Sequence, residues 1–180
     1  MSGSPIPSFI GKTFDQVAFV VRDLDEAQAT FGKLFGIDRW SVWKDQAVGQ
    51  INKTYHGEPE DFGFSCGYAY AGDTLVELCH HDSGRSVYKD WLDTHGQGLQ
   101  HIGFRVANPQ EFADAAQVYA DNGVEMAMGG ERAPGNRYAY YDTVDDIGCY
   151  TEIYYVEDRI LEVFARMKAG EILQRPASPQ

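Results

Sequence analysis

Residues 99–106 read LQHIGFRV, and residues 14–21 read FDQVAFVV. Both stretches alternate with a period of two, as a strand does when its two faces meet different surroundings. In the earlier one Val17, Phe19 and Val21 share a face, and Gln16, Ala18 and Val20 share the other. Laid over each other, the stretches put Gln16 on His101. Each is followed by an aliphatic residue, a small residue and a phenylalanine, and each strand ends in valine.

The segments downstream of each stretch also repeat. Asp23 or Asp25 can cap a helix that carries Ala27, Phe31, Leu34 and Phe35 inward, with Gly36 placed to end it. Strand-like segments come next at 39–43, 62–70 and 74–79, the last two joined by an Ala71-Gly72-Asp73 turn. In the later copy a helix at 109–122 turns Phe112, Ala115, Ala116 and Tyr119 inward and meets Gly123; strands are expected at 124–128, 137–141 and 149–155. Gly36 lies 20 residues after Gln16, and Gly123 lies 22 after His101. Each copy closes on a strand with a glutamate between apolar neighbours, Glu77 in TLVELC and Glu152 in CYTEIY. These stand 61 and 51 residues after Gln16 and His101, a difference that a loop insertion absorbs.

An internal repeat of this kind sets the fold class. The expectation is α+β, with two tandem βαβββ modules at 13–82 and 99–156. An extension at 1–12 precedes them, and a linker at 83–98 holds a short helix burying Val87, Trp91 and Leu92. A C-terminal helix and tail come last at 157–180, with Ile160, Phe164 and Met167 inward and the closing QRPASPQ disordered. One module alone leaves a sheet face and its edges exposed. Two side by side make a curved, barrel-like mixed sheet around a cavity.

Composition narrows the function. A formal net charge of −12 argues against nucleic acid and against an anionic membrane surface, because both need a basic footprint. Three cysteines (Cys66, Cys79 and Cys149) without CxxC spacing argue for reduced thiols rather than a disulfide framework. The opening MSGSPIPSF lacks the features of a secretory signal, and no apolar run reaches the length of a membrane span. A cytoplasmic protein is expected.

Gln16, Glu77, His101 and Glu152 come from the four strands that line the expected cavity. A polar group in mid-strand facing a core is costly unless it is paired or bound to a metal. Taken singly, each has a plain alternative: a glutamate on a wet face, a histidine hydrogen-bonded in the core, an uninformative glutamine. Their joint occurrence at matched positions of a repeat favours one divalent cation. Three oxygens and a nitrogen suit an octahedral ion with open positions for water or substrate. His56, His80, His81 and His95 fall in loops or at strand ends and are not assigned as ligands.

The segments DQVAFVV, LFGI, TLVELCHH, LQHIGFRV, YAYYDT and GCYTEIYY resemble the vicinal-oxygen-chelate superfamily across residues 13–156. That group includes glyoxalase I, methylmalonyl-CoA epimerase, extradiol dioxygenases and the bleomycin- and fosfomycin-resistance proteins. The resemblance implies Gln16, Glu77, His101 and Glu152 as the ligands of a zinc, nickel, cobalt or manganese ion. It also implies a small-molecule substrate and a homodimer. The Gln/Glu/His/Glu set is similar to that of glutathione-dependent glyoxalase I, whereas VYKDWLDTHGQGLQHIGFRV is similar to the epimerase branch.

Departures separate the relatives. Val20, His81 and Gln97 stand where glutathione-dependent glyoxalases hold the tripeptide, which argues against a lactoylglutathione lyase. Gln16 stands where extradiol dioxygenases and the epimerases carry histidine. Non-catalytic antibiotic-binding members lack the ligand set. The expected activity is therefore a metal-dependent isomerase, epimerase or lyase. It acts through an enolate or enediolate on a small carbonyl or carboxylated substrate, with Glu152 and Glu77 as the proton-transfer groups. Arg105, four residues after His101, is either a clamp for a substrate carboxylate or the partner of a nearby acid. Among Trp40, Trp43, Tyr68, Tyr70, Tyr138, Tyr140, Tyr150 and Tyr154, the pair Tyr150 and Tyr154 shares the face of Glu152 and is expected to wall the substrate pocket.

Overall fold

The computed structural model describes residues 14–133 and 135–175. The expectations for 1–12 and for most of QRPASPQ lie outside them. In chain order the elements are β1 (Phe14–Val21), α1 (Leu24–Phe35), β2 (Ser41–Trp43), β3 (Gln50–Tyr55), β4 (Glu58–Pro59), β5 (Gly63–Ala71), β6 (Thr74–Ser83) and α2 (Val87–Thr94). They continue with β7 (Gly98–Arg105), α3 (Pro109–Asp121), β8 (Met126–Arg132), β9 (Asn136–Tyr141), α4 (Val144–Ile147), β10 (Tyr150–Tyr155) and α5 (Asp158–Lys168). The strands form one curled mixed sheet in the order β2-β5-β6-β1-β7-β10-β9-β8-β3-β4.

The centre of the sheet is antiparallel, β1 against β7, and each of these has a parallel strand on its outer side: β6 beside β1 and β10 beside β7. Strands bounded by helices on one side and a cavity on the other bury both faces. On β1 the face of Gln16, Ala18 and Val20 turns into the lumen, while Val17, Phe19 and Val21 pack beneath α1. Helix α1 starts where Asp23 accepts from the Glu26 amide and ends at Gly36, whose φ of 70° is the left-handed cap expected of glycine. Asn108 caps α3 in the same way, and Ala115 and Tyr119 of α3 pack on the outer face of the second half. Val87, Tyr88, Trp91 and Leu92 of α2 fill one end of the lumen. Among the described residues no helix is long and apolar enough to cross a membrane.

Three expectations change. Leu34 and Phe35 are 62% and 65% exposed, because the last turn of α1 carries them off the sheet and only Leu24, Ala27 and Phe31 reach it. The strand expected at 124–128 begins at Met126 and runs through Gly129 and Gly130 to Arg132. Residues 44–61, where the sequence reading places no element, contain the β3–β4 hairpin, which turns on His56 and Gly57, both at positive φ as a two-residue primed turn requires. This hairpin leaves the half of the sheet in which it arises and pairs with β8, Gln50 opposite Arg132 and Tyr55 opposite Met128. It accounts for the extra length between Gln16 and Glu77.

Candidate metal centre and its cavity

The pleat sets up the site. Ala18 on β1 lies between Glu77 on β6 and His101 on β7, while Gly103 on β7 lies between Gln16 on β1 and Glu152 on β10. A small residue thus sits between two polar ones in each half, and the four polar side chains lean over it toward a single point. The Gln16 amide nitrogen lies 2.7 Å from Glu77 Oε2, 3.0 Å from Glu152 Oε2 and 3.1 Å from His101 Nε2. His101 Nε2 is 3.4 Å from Glu77 and 3.5 Å from Glu152. All four residues are buried, His101 fully. Any side chain on Gly103 forces Gln16 to shift, because a Cβ there falls 2.8 Å from Gln16 Cβ.

Two carboxylates in a buried site need a positive charge close by. Burial presses His101 toward neutrality, but Glu152 and Glu77 outweigh it and lift its pKa to about 9. Burial also works to raise Glu77, yet His101, with the Cys66 thiol and the Tyr68 hydroxyl, holds it below the usual carboxylate range. Glu152 ends above that range, raised by burial and by the charge of Glu77 against the pull of His101 and Tyr140. A proton on His101 is therefore the charge that balances the pair, and a divalent cation at the same point does so more completely. The donor set fits such an ion: Glu77, His101 and Glu152 offer ligand atoms within 4.8 Å of one another. The Gln16 amide, turned by 180°, presents its oxygen where its nitrogen now points. Gln100, a residue that no sequence pattern singles out, fixes the imidazole: its Oε1 accepts from His101 Nδ1 at 2.6 Å, leaving Nε2 to face the cluster.

The cluster forms the floor of an open cavity of about 140 Å³, walled by Trp43, Phe64, Tyr68, Tyr138, Tyr154 and Phe164. Of the expected pocket residues, Tyr154 lines this cavity and also donates to Asp15. Tyr150 does not line it. It packs edge-on against Trp91 and faces a separate depression beside α2. Arg105 is likewise outside the cavity lining; its Nε donates to Asp15 at 2.9 Å, so the ion-pair alternative describes its position. Alternation points Arg105 inward, but it stands at the end of β7, where Asp15 and the Tyr154 hydroxyl meet it. Trp40 packs beneath α1 instead of facing the lumen. Gln46, Gln50 and Arg132, none of them singled out in the sequence, do line the cavity.

A curled mixed sheet of paired half-sheets with a polar floor defines a vicinal-oxygen-chelate protein. The family described as the Glyoxalase/Bleomycin resistance protein/Dioxygenase superfamily matches residues 15–141, and the chain belongs to it. Similar solved structures include a hypothetical protein from Bacillus halodurans C-125 (TM-score 0.58, 16% identity, 81% of this chain and 94% of that one). A methylmalonyl-CoA epimerase from Mycobacterium tuberculosis is similar at TM-score 0.55 and 16% identity, over 88% of this chain and 97% of the other. A variant of the Streptomyces coelicolor methylmalonyl-CoA epimerase, in complex with 2-nitronate-propionyl-CoA, is similar at TM-score 0.52 and 20% identity, over 79% and 96%. At these identities the likeness concerns the fold. No curated protein sequence matches the chain significantly.

Proposed function

We propose that the protein is a metal-dependent enzyme of the isomerase, epimerase or lyase type, which moves a proton on the carbon next to a substrate carbonyl. The observation that carries this reading is the meeting of Glu77, His101 and Glu152 around the Gln16 amide, from four neighbouring strands, in a buried site that opens into a cavity. Gln16, Glu77, His101 and Glu152 would hold the ion. When bound, a divalent ion supplies Lewis acidity that makes the neighbouring C–H more acidic.

The chain's own residues do the rest. Glu152, whose carboxyl has the raised affinity for a proton, takes it from carbon. Glu77, held ionised by Cys66 and Tyr68 as well as His101, stands on the opposite side and can return a proton to the other face. Gln100 keeps His101 in a single tautomer. The aromatic wall limits water at the reacting carbon. Val20, His81 and Gln97 give no support for glutathione as co-substrate, so methylglyoxal with glutathione is expected to be turned over poorly.

The purified protein should contain about one divalent ion per chain by elemental analysis, and Glu77→Ala/His101→Ala should contain none. Full occupancy in that double variant sinks the assignment. With a turned-over carbonyl compound in heavy water, deuterium should enter next to the carbonyl. Glu152→Gln should keep the ion but slow exchange by roughly two to four orders of magnitude, the usual size of a general-base contribution. An unchanged rate in Glu152→Gln leaves that carboxylate without a catalytic part.

A further inference from the structure

The far end of the cavity from the acidic floor has the opposite polarity. Arg132, the last residue of β8, lines it half-buried, and its Nη2 donates to the Gln46 carbonyl. Among the described residues no carboxylate pairs with Arg132. Its nearest charged neighbours include other guanidiniums: burial, then Arg175, press its pKa down to about 10, with Tyr138 and Tyr68 close by. A guanidinium in that setting lacks the partner that ordinarily accompanies a desolvated charge.

A second donor in the same corner is also unmet. Gln46 is 8% exposed and lines the cavity, and its amide nitrogen has no hydrogen-bond acceptor. Buried donors are satisfied in the great majority of cases, so an orphan on a cavity-lining residue points to an acceptor that belongs there. The corner is built, not incidental. Tyr138 donates to Gln50 Oε1 at 2.7 Å, and Gly130 makes room for that bond, since a Cβ there lies 2.7 Å from the Tyr138 hydroxyl and 3.2 Å from Gln50 Oε1. Arg175 donates to the carbonyls of Lys44, Asp45 and Val48 and so holds the loop that presents Gln46. From this corner Tyr138 contacts Tyr140, and Tyr140 contacts His101, their rings 5.9 Å and 4.9 Å apart.

We propose that Arg132 and Gln46 form an oxyanion subsite, and that the substrate is a small organic anion whose flat or apolar body spans from this corner to the four-residue floor. The span to the floor rests on the function proposed for the metal centre; the subsite itself does not. The anionic group is a carboxylate or a phosphate ester, both of which a guanidinium and an amide N–H can bind together.

The test titrates the full chain with benzoate, phenyl phosphate and neutral benzamide, following tryptophan fluorescence, since Trp43 is in the wall. Each titration is run on zinc-loaded and on chelator-treated protein. At least one anion should saturate the signal, with benzamide at least about tenfold weaker, the size expected when a charge-assisted bond is missing. Arg132→Met should weaken that anion by about tenfold or more, Arg132→Lys by less, and Gln46→Leu by an intermediate factor. Tighter binding of phenyl phosphate identifies a phosphate ester; tighter binding of benzoate identifies a carboxylate. His101→Ala should bind the anion within about threefold of the parent, so loss of the metal reading leaves this result standing, and the reverse. The proposal is overturned if benzamide equals both anions, or if Arg132→Met and Gln46→Leu each bind like the parent. It is overturned equally if binding needs zinc and disappears in His101→Ala. If Arg132→Met fails to fold, the ranking of Arg132→Lys and Gln46→Leu against the parent decides.

Discussion

The two halves of the sheet place equivalent residues at equivalent points and finish their edges in opposite ways. In the first half the outer strand β2 has three residues, and the chain after α5 runs beside it: Leu173 accepts from Trp43 Nε1 and donates to Ser41 Oγ. In the second half the outer strand β8 has seven residues, and its free edge is covered by the β3–β4 hairpin contributed by the first. An open edge invites pairing with other chains, so each half needs a cover. The inner positions obey the opposite rule. Gln16 with Ala18, and His101 with Gly103, keep the arrangement of a polar residue and, two places later, a small one. Divergence has gone to the rims, where Val20 and Arg105 no longer match, while the centre is held to a pattern by the need to bring four side chains together.

The largest effect that probes this comparison is on the ion. If the halves contribute unequally, His101→Ala should abolish divalent-ion binding, whereas Gln16→Ala, which removes a neutral amide, should retain measurable affinity by calorimetric titration. Gln100→Leu should cost about 10- to 100-fold, the usual consequence of releasing a ligand histidine from its outer partner. Equal losses in Gln16→Ala and His101→Ala would make the site symmetric after all.

Next in size is a pH effect on loading. His101 in the ion-free protein holds its proton up to about pH 9, so binding an ion displaces it. Apparent affinity should therefore rise with pH, by about tenfold per unit between 7 and 9 for one displaced proton, and level off above. A flat profile there means that the imidazole is already neutral.

The two small residues offer a third comparison. Gly103→Ala forces a methyl against Gln16 and should lower stability by about 1–3 kcal/mol in denaturant titrations, with ion affinity falling as well. Ala18→Gly, its mirror in the first half, removes a methyl and should cost only about 0.5–1 kcal/mol. An effect of similar size concerns the hairpin. Tyr55 donates to Asp90 on α2 at 2.8 Å, and Tyr55→Phe should cost about 0.5–1.5 kcal/mol, one ordinary hydrogen bond. A loss of several kcal/mol would show that the hairpin holds the second half together and does more than cover it.

Much of the fold was legible because its signals are local. Alternation in FDQVAFVV and LQHIGFRV, the Asp23 and Gly36 caps, and the repeat of small residues after Gln16 and His101 all lie within a few residues of what they determine. The meeting of Gln16, Glu77, His101 and Glu152 was accessible through the repeat, since matched positions in a two-fold sheet lie close in space. The hairpin went unread: in QINKTYHGEP Lys53 breaks the alternation between Ile51 and Tyr55, and nothing local states that Gln50 pairs with Arg132 in the other half. The same distance hid Gln46 and Arg132. Each looks like an ordinary polar residue until residues 86 apart are brought together. Arg105 was legible only as two alternatives: its alternation is right, and its strand-end position gives it to Asp15, the second of them.

The hold of Arg175 on the loop at 44–48 carries a consequence for time. A ribosome makes that loop early and Arg175 some 130 residues afterwards. At about 5–20 residues per second the nascent loop waits several seconds or more for its clasp. During that interval the first half-sheet can collapse around Ala18, Val20 and Cys66, while the corner holding Gln46 gains Arg132 first and Arg175 only later. The anion selectivity proposed for the cavity therefore needs residues made well after the first half-sheet, and chains arrested before Arg132 should show sheet structure by circular dichroism without binding benzoate or phenyl phosphate.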